Sequence, residues 1–530
     1  MSNTESFRDR LQKSMQESTP SFLYGAEIVS SRGIPLPDET AAPLALTRSL
    51  LGDSRIAWVS ITDNPGGGPM LPPDWFGGQL AEHAARIVLH LTCKDRNRIA
   101  LESAAWKYAA EGFDNILALS GDLPTGGYPK FGSGVFDIDS VALIDMLTKM
   151  NAGLEIPGRK GNMEKLNPTR FFTGCAVSPF KMHENELIPQ YVKMLRKIKA
   201  GAQWVLPQLG YDMRKFNELK LFLRYHGVKT PILGNVYVLG KIVAKLFHSG
   251  KLAGCVVSDS LLADIEKYAS GEDKGKKYFQ EFAAKQLAVF RGLGFQGGYL
   301  GGLGKPEQFF EIIELAETFS QDDWKLFYKE IQYSQSNEFH CFEEHVGTEI
   351  PDDAEPQMDL RYQLTVQCPL ATKNVNLFYR FSRLVHAIAF HKNHGLYNLF
   401  AKVFRFLEKD PAEKHPNPAR QGLLYKMIHY IEDDVKHTLY GCKDCGDCAL
   451  PDTAYLCPMG RCSKNMRNGP CGGSSRGRCE ADDKNCIWTI AYDRLKYFEE
   501  WEKTADEPVH VYDASLKGTS AWSNLYGDRT

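Results

Sequence analysis

The sequence carries no excess of charge of either sign. Its 530 residues include 63 lysines and arginines against 65 aspartates and glutamates, which gives a formal net charge of -2. Proteins that bind nucleic acid or an anionic membrane through their overall field carry a large basic excess. Because this sequence lacks one, we expect a small-molecule ligand and no nucleic-acid partner.

Long apolar runs are missing as well. No segment approaches the roughly 20 apolar residues that a bilayer-spanning helix needs. Residues 1–20 mix Arg8, Arg10 and Lys13 with acidic side chains and do not contain the apolar core of a signal peptide. These absences predict a cytoplasmic protein without a membrane span.

Cysteine is scarce over the first 440 residues and concentrated after them. Five of the 13 cysteines are scattered before Cys442, and the other eight lie between Cys442 and Cys486. Disulfide frameworks belong to small secreted domains, whereas a dense cluster in an otherwise cysteine-poor chain is typical of a metal site. The distribution therefore predicts a separate metal-binding module over residues 441–530.

Short apolar segments alternate with helical patterns from residue 22 to about residue 304, and each segment is apolar almost throughout, as expected for parallel strands covered on both faces. Eight segments have this character: Phe22–Val29, Ile56–Asp63, Arg86–Cys93, Asn115–Asp122, Phe171–Val177, Gln203–Leu209, Pro231–Val238 and Gly297–Gly301. They predict an α/β fold, a (β/α)8 TIM barrel over residues 1–305, with a doubly wound open sheet as the alternative. Residues 306–440 show mainly helical patterns and are predicted to connect the barrel to the module.

Polar residues interrupt the apolar strands near their C-terminal ends, which meet at one mouth in a TIM barrel. Glu27 lies in the first strand, Thr62 ends the second, His90 lies in the third, Asp122 ends the fourth and Gln208 lies in the sixth. Each could alone be a structural residue. Together they predict an active site in which desolvation holds the proton of Glu27 while Asp122, in a loop, stays ionised.

These segments resemble the methylenetetrahydrofolate reductases in order and spacing. The resemblance covers the predicted barrel, and its most specific motif is Gly121-Asp122-Leu123-Pro124. The matching segments are Glu27 in strand one, Val59–Thr62, His90–Cys93, Leu119–Pro124, Lys197 with Ala200-Gly201-Ala202, and Gln208 with Tyr211-Asp212.

The resemblance implies a flavoprotein oxidoreductase that interconverts 5,10-methylenetetrahydrofolate and 5-methyltetrahydrofolate. It implies that Glu27 protonates N10 of the folate and that Asp122 and Gln208 bind the pterin. FAD is the implied cofactor, with FMN as the alternative, and its implied contacts are Thr62, His90, Ser120, Gly121, Asp122 and Lys197. The electron source would be NAD(P)H or an electron-transfer protein such as ferredoxin, and we expect a homo-oligomer or a redox complex.

Three positions depart from the family pattern. Ser120 stands where the family carries a basic residue, and Val177 and Gln190 stand where a tyrosine and an aspartate are expected to serve the flavin. Loss of the basic residue removes one partner for a phosphate. A flavin-free, folate-dependent methyl or one-carbon transferase on the same barrel is therefore an alternative function.

The cysteine module has a spacing typical of iron–sulfur proteins. The first three cysteines form C-x2-C-x2-C and a later one precedes proline, so we favour one or two [4Fe–4S] clusters; zinc, whose ligands usually pair as two C-x2-C knuckles, is the alternative. The predicted ligands are Cys442, Cys445, Cys448, Cys457, Cys462, Cys471, Cys479 and Cys486. The segment Gly469–Gly473 resembles the C-terminal domain attached to some of these reductases, where the centre would relay electrons or dock a partner. A non-catalytic, metal-binding adaptor is the third interpretation.

Overall fold

The computed structural model describes residues 5–17, 21–34, 37–130, 132–158, 161–343, 373–391, 395–407 and 422–527. Within them, all eight predicted strands are present, and residues 155–165 contain an additional antiparallel hairpin, β5 with β6. The strands are β1 (Leu23–Ile28), β2 (Ile56–Ile61), β3 (Ile87–Thr92), β4 (Asn115–Leu119), β5 (Glu155–Pro157), β6 (Met163–Lys165), β7 (Phe172–Val177), β8 (Trp204–Pro207), β9 (Leu233–Tyr237) and β10 (Gly297–Gly301).

The eight longer strands form one parallel sheet in the order β8-β7-β4-β3-β2-β1-β10-β9. A parallel bridge between Val205 of β8 and Ile232, next to β9, joins the two edges, and the Val205 N–H donates to the Pro231 carbonyl at 2.9 Å. The sheet therefore curves into a nearly closed barrel. The predicted (β/α)8 architecture is confirmed, and the open-sheet alternative is wrong.

Helices surround the barrel and continue into the C-terminal part of the chain. The described helices are α1 (Phe7–Gln16), α2 (Pro37–Gly52), α3 (Pro73–Gly78), α4 (Arg98–Ala110), α5 (Ser140–Ala152), α6 (Glu184–Lys199), α7 (Met213–Tyr225), α8 (Lys241–His248), α9 (Asp259–Tyr268), α10 (Lys276–Gly292), α11 (Pro306–Thr318), α12 (Asp323–Glu330), α13 (Leu377–Ala389), α14 (Gly395–Leu407), α15 (Leu423–Tyr440), α16 (Pro458–Arg461), α17 (Ile487–Tyr497) and α18 (Ala521–Tyr526). No helix in this described part is long and apolar enough to cross a membrane.

Helix α1 closes the N-terminal end of the barrel. The ring of Phe7 lies 5.0 Å from Trp58, 5.7 Å from Phe172 and 5.6 Å from Trp204, all of which fill the barrel interior. Gly25 leaves room for this packing, because a Cβ at that position would lie 2.1 Å from the Trp58 ring. With this end filled by aromatic side chains, a ligand has access to the interior from the C-terminal ends of the strands.

The C-terminal residues pack directly on the barrel. Helix α17 lies against α6, where the Tyr492 hydroxyl donates to Glu184 at 2.8 Å and the Asn185 amide donates to Asp493 at 3.1 Å. The cysteine-containing loops around it enclose a small apolar core that includes Met466. The predicted unit boundaries at residues 305 and 440 stay predictions.

Candidate active site at the barrel mouth

The C-terminal ends of the strands enclose a cavity of about 300 Å³. Its lining includes every barrel residue that the sequence singled out as catalytic, substrate-binding or cofactor-binding: Glu27, Thr62, His90, Ser120, Gly121, Asp122, Lys197 and Gln208. The two other departures from the family pattern, Val177 and Gln190, line it too. The structure thus brings these residues together, and their individual roles stay predictions.

Glu27 places a carboxyl group from β1 in this cavity. Its Oε2 accepts a hydrogen bond from the Tyr299 hydroxyl at 3.1 Å, and that hydroxyl also contacts Ser60, which lies 3.0 Å from His90 Nε2. Burial raises the pKa of Glu27 above its ordinary value, and the bond from Tyr299 opposes the rise. Burial also lowers the pKa of His90 to about 4, so this imidazole is neutral at neutral pH. The Glu27 carboxyl group therefore keeps its proton to a higher pH than a free glutamate does, which favours general acid catalysis.

The loop that follows β2 holds the Asp122 carboxylate through a hydrogen bond. Its Oδ2 accepts a hydrogen bond from the Gly66 N–H at 2.9 Å. The Thr125 N–H donates to the Gly67 carbonyl at 3.0 Å, and the Thr125 hydroxyl donates to the Gly66 carbonyl at 2.7 Å. Gly67 has a φ of +78°, and a Cβ there would lie 1.8 Å from the Leu123 carbonyl oxygen. The glycine-rich loop is therefore the support on which the Asp122 segment lies.

Asp63 has a structural role at the same edge. It is buried and accepts hydrogen bonds from the Thr92 N–H at 3.1 Å and the Thr92 hydroxyl at 2.8 Å, and it pairs with Arg96 at 3.2 Å. These contacts tie the end of β2 to the end of β3. One oxygen of this carboxylate, Oδ2, thus accepts from three protein donors, whereas Oδ2 of Asp122 accepts from the Gly66 N–H.

Three buried polar atoms of the cavity lining lack a hydrogen-bond partner among the described residues. They are Thr62 Oγ1, Ser178 Oγ and Gln190 Nε2. An unsatisfied buried polar group costs about 1–3 kcal/mol, so a ligand that bonds to these atoms would gain this energy on binding. Sequence reasoning missed Ser178, which follows β7 by one residue and is an ordinary loop serine by type.

Lys197 reaches the cavity from α6. Its ammonium group donates to the Ala176 carbonyl at 2.6 Å, and burial lowers its pKa to about 8. Among the described residues, the side chain of Gln208 is anchored through Oε1, which accepts from the Leu209 N–H at 3.0 Å. A second, wider cleft of about 790 Å³ contains Glu27, Asp122 and Gln208 and extends outward past Phe180. The site therefore has an inner chamber and an outer cleft that share these three residues.

The roof of the inner chamber comes from the cysteine module. Lys464, Cys471, Gly472, Gly473 and Glu480 line the same cavity as Glu27. The ammonium group of Lys181, in the barrel, donates to the Gly472 and Ser474 carbonyls and holds this segment over the mouth. Sequence reasoning missed this arrangement, because no local pattern connects residues about 290 positions apart.

The eight clustered cysteines fall into two sets of four. The outer set, next to α15, comprises Cys442, Cys445, Cys448 and Cys457, and the inner set, next to the barrel, comprises Cys462, Cys471, Cys479 and Cys486. All twelve cysteines of the described residues are free thiols. Within the same residues, no group of three or more His, Cys, Asp or Glu side chains is arranged to hold a single metal ion.

Comparison with known proteins gives matches in both parts of the chain. The family model described as methylenetetrahydrofolate reductase matches residues 48–315, half of the chain, and the model described as methylene-tetrahydrofolate reductase C terminal matches residues 424–515. A Caenorhabditis elegans protein named probable methylenetetrahydrofolate reductase (NADPH) is 27% identical over 199 residues, which are 37% of this chain and 26% of that protein. A Schizosaccharomyces pombe protein, methylenetetrahydrofolate reductase 2, is 24% identical over 193 residues, 34% of this chain and 27% of that protein. The chain thus spans about a quarter of the length of the curated relatives it matches.

Solved structures with a related backbone are more distant. An uncharacterized Clostridium thermocellum protein, described as binding two copies of 5-methyl-5,6,7,8-tetrahydrofolic acid, superposes with a TM-score of 0.37 at 12% identity, covering 57% of this chain and 96% of that one. A 2,3-dimethylmalate lyase superposes with a TM-score of 0.32 at 10% identity, covering 61% and 88%. The family model, in contrast, matches residues 48–315, which include β2 to β10 and every barrel residue named above in the cavity lining except Glu27 of β1. The chain belongs to the methylenetetrahydrofolate reductase family.

Proposed function

We propose that the protein is an oxidoreductase that interconverts 5,10-methylenetetrahydrofolate and 5-methyltetrahydrofolate. The observation that carries this proposal is the convergence of Glu27, Asp122 and Gln208, which line both the inner chamber and the outer cleft. An acid that holds its proton, an exposed carboxylate and a primary amide are the groups needed to protonate a folate and bind its pterin.

Glu27 acts as the proton donor to N10 of the folate, which opens the five-membered ring of the methylene compound. Burial raises its pKa above the ordinary value of a glutamate, so the carboxyl group keeps its proton to a higher pH than a free glutamate does. The neighbouring His90 is neutral at that pH and does not stabilise the glutamate anion. The Tyr299 hydroxyl fixes the orientation of the carboxyl group.

Asp122 and Gln208 bind the pterin ring. A pterin presents N–H donors on one edge, which suit the carboxylate of Asp122, and a side-chain amide such as Gln208 offers a donor and an acceptor to the adjacent atoms. The Gly66 N–H holds the Asp122 carboxylate in place, so less side-chain freedom is lost when the ring binds.

The residues of the inner chamber fit a flavin. The three unpartnered atoms of Thr62, Ser178 and Gln190 offer hydroxyl groups and an amide N–H to a heteroaromatic ring, and Lys197 adds a cation beside them. These residues, with His90, would hold FAD, or FMN as the alternative. When bound, a flavin supplies hydride transfer to and from the folate, while the protein supplies position and electrostatics. The unsatisfied polar atoms favour this function over a flavin-free transferase, which would leave them unpaired.

We propose further that each set of four cysteines holds a metal centre. The four thiols of each set line one pocket. The C-x2-C-x2-C spacing of the outer set favours a [4Fe–4S] cluster, with zinc as the alternative.

A centre held by the inner set would adjoin the active site, because Cys471 lines the same cavity as Glu27. This proximity supports a relay of electrons between an external donor and the barrel. The donor would be NAD(P)H or an electron-transfer protein such as ferredoxin, and a protein donor would approach the outer set. A protein donor would require a redox complex, whereas NAD(P)H would allow the chain to work as a homo-oligomer.

An anaerobic assay tests the proposed function. The full chain, incubated with 5,10-methylenetetrahydrofolate and a chemically reduced viologen, should form 5-methyltetrahydrofolate, identified by mass spectrometry, and should show flavin absorption near 450 nm. A protein that has neither flavin absorption nor product formation would contradict the proposal.

A further inference from the structure

The cysteine module brings a buried cation into the active-site cavity. The Lys464 side chain is 5% exposed, its ammonium group donates to the Gly121 carbonyl at 2.8 Å, and it lies 2.5 Å from a carboxylate oxygen of Glu480. Lys464 and Glu480 line the same chamber as Asp122. A buried lysine costs free energy unless its charge is compensated, and here the compensation comes at the edge of a ligand cavity.

The Lys464 ammonium group lies beside Ser120, the position at which the barrel lacks the expected basic side chain. Ser120 is the residue that replaces the expected basic side chain, and its Oγ lies 4.0 Å from the sulfur of Met466, two residues after Lys464. The Lys464 ammonium group contacts the carbonyl of the very next residue, Gly121. A positive charge is therefore present at this corner of the chamber, but a different part of the chain supplies it.

The barrel holds the module in the position that this contact requires. Lys193 donates to the Gly469 carbonyl at 3.0 Å, and the Asn468 N–H donates to Asp139 at 3.0 Å, both among buried groups. An ammonium group has three N–H donors. In the described part of the chain, Gly121 and Glu480 are the hydrogen-bond acceptors of Lys464, and its ammonium group also lies 5.4 Å from the centroid of the Phe136 ring, so a ligand in the chamber would compete with this ring for the third N–H.

We propose that Lys464 is a ligand-binding residue of the active site and binds an anionic group of the ligand in place of the missing barrel cation. The identity of the ligand rests on the proposed function: the anion is either the phosphate of a flavin or a carboxylate of the folate tail. The active site is then composite, because a barrel without the module lacks this cation.

Substitutions of Glu480 and Lys464 should change anion binding in opposite directions, which tests the proposal. Paired with Lys464, the Glu480 carboxylate neutralises the charge that an anionic ligand meets. Glu480→Gln removes the negative charge and leaves the contact between Lys464 and Gly121, so an anion should bind more tightly. Lys464→Met removes the positive charge, so the same anion should bind more weakly. A residue that only held the module in place would weaken binding in both variants.

The experiment measures dissociation constants of the full chain for two pairs of probes. FMN and riboflavin differ by a phosphate, and 5-methyltetrahydrofolate and the carboxamide of 5-methyltetrahydropteroate, which has no free carboxyl group, differ by the glutamate carboxylates. In Lys464→Met we expect binding of the anionic member of one pair to weaken about tenfold or more, with its neutral counterpart within about twofold. The affected pair identifies the anion. Lys464→Arg should retain most of the affinity, and Lys503→Met, an exposed lysine of the same module, should match the wild type.

Equal affinities of Lys464→Met and wild type for all four probes would overturn the proposal, as would equal weakening of charged and neutral probes. If Lys464→Met does not fold, as judged by circular dichroism, Glu480→Gln decides: tighter binding of one anionic probe supports the proposal and unchanged binding contradicts it. A wild-type chain that binds an anion through Lys464 but does not convert folate would contradict the proposed function alone. Turnover by the wild type with unchanged binding in Lys464→Met would contradict this inference alone.

Discussion

Tyr299 donates a hydrogen bond to Glu27 inside the barrel, with 3.1 Å between its hydroxyl oxygen and Oε2 of the carboxyl group. The two residues come from β10 and β1, which are neighbours in the sheet although they are 272 positions apart in the chain. The tyrosine ring stacks on Trp58 at 6.1 Å between centroids, so its hydroxyl has a fixed position. The protonation of Glu27 is therefore set by two opposed effects, burial and this bond.

Replacing Tyr299 by phenylalanine should shift the pH dependence of folate turnover. The bond from Tyr299 lowers the pKa of Glu27, so its removal raises that pKa further. A general acid must be protonated, and the rate falls as pH rises through its pKa. The alkaline limb of the pH–rate profile should thus move to higher pH in Tyr299→Phe. Tyr24→Phe removes a buried hydroxyl that bonds to Glu317 on the outside of the barrel, and its profile should match the wild type. A shift of the limb to lower pH would contradict the assignment.

The support of Asp122 by the glycine-rich loop can be tested at Gly67. Gly67→Ala places a Cβ 1.8 Å from the Leu123 carbonyl at a positive φ, so the loop must move or become strained by about 1–3 kcal/mol. We expect the KM for the folate to rise about tenfold, because Asp122 loses its position, with a smaller effect on the reduction of enzyme-bound flavin.

Gly68→Ala is the matched control. Gly68 is the next residue in the same loop, has a φ of -85° and has no atom within 4 Å of an added Cβ. Its steady-state parameters should equal those of the wild type. Equal effects of the two substitutions would mean that the loop does not support Asp122 as described.

The closure of the barrel by α1 predicts a large stability effect far from the active site. Phe7→Ala removes a fully buried ring that contacts three aromatic side chains, and it should lower the free energy of unfolding by about 3–5 kcal/mol. Phe381→Ala, at a phenylalanine that is 60% exposed, should change it by about 0.5 kcal/mol or less. Urea denaturation of both variants measures the difference, and similar midpoints would contradict the closure.

The division of the cysteines into two sets predicts separable metal centres. Anaerobically purified protein should contain about eight iron atoms and as many acid-labile sulfides, and either Cys445→Ser or Cys479→Ser should lower the count to about four. Cys255→Ser changes a partly buried barrel thiol outside both sets and should keep the full count. Stoichiometric zinc without sulfide would show that the iron–sulfur assignment is wrong.

The sequence contained enough local information to predict the barrel and the residues at its mouth. A strand buried on both faces has a recognisable apolar run, and a polar side chain such as Glu27 at its end is conspicuous because burial of a charge is costly. These signals extend over fewer than ten residues, so they could be read from β1 or β4 in isolation. The family resemblance then supplied roles for the same residues.

The remaining features depend on contacts between distant parts of the chain. Nothing near Phe7 indicates that its ring closes the far end of the barrel, and nothing near Lys464 indicates that it contacts Gly121, 343 positions earlier. The hairpin of β5 and β6 was missed because three-residue strands are too short to show a period. Ser178 was missed because its lack of a partner is visible only once the surrounding residues are in place.

The most direct test of the central claim separates the two half-reactions in Glu27→Gln. Under anaerobic stopped-flow conditions, reduction of the bound flavin by its donor should proceed at the wild-type rate, because that step needs no proton from Glu27. Reoxidation of the reduced flavin by 5,10-methylenetetrahydrofolate should slow by about 10²–10⁴-fold, because the ring of the folate is no longer protonated at N10. Equal loss of both half-reactions, or reoxidation at the wild-type rate, would contradict the role of Glu27 as the folate acid.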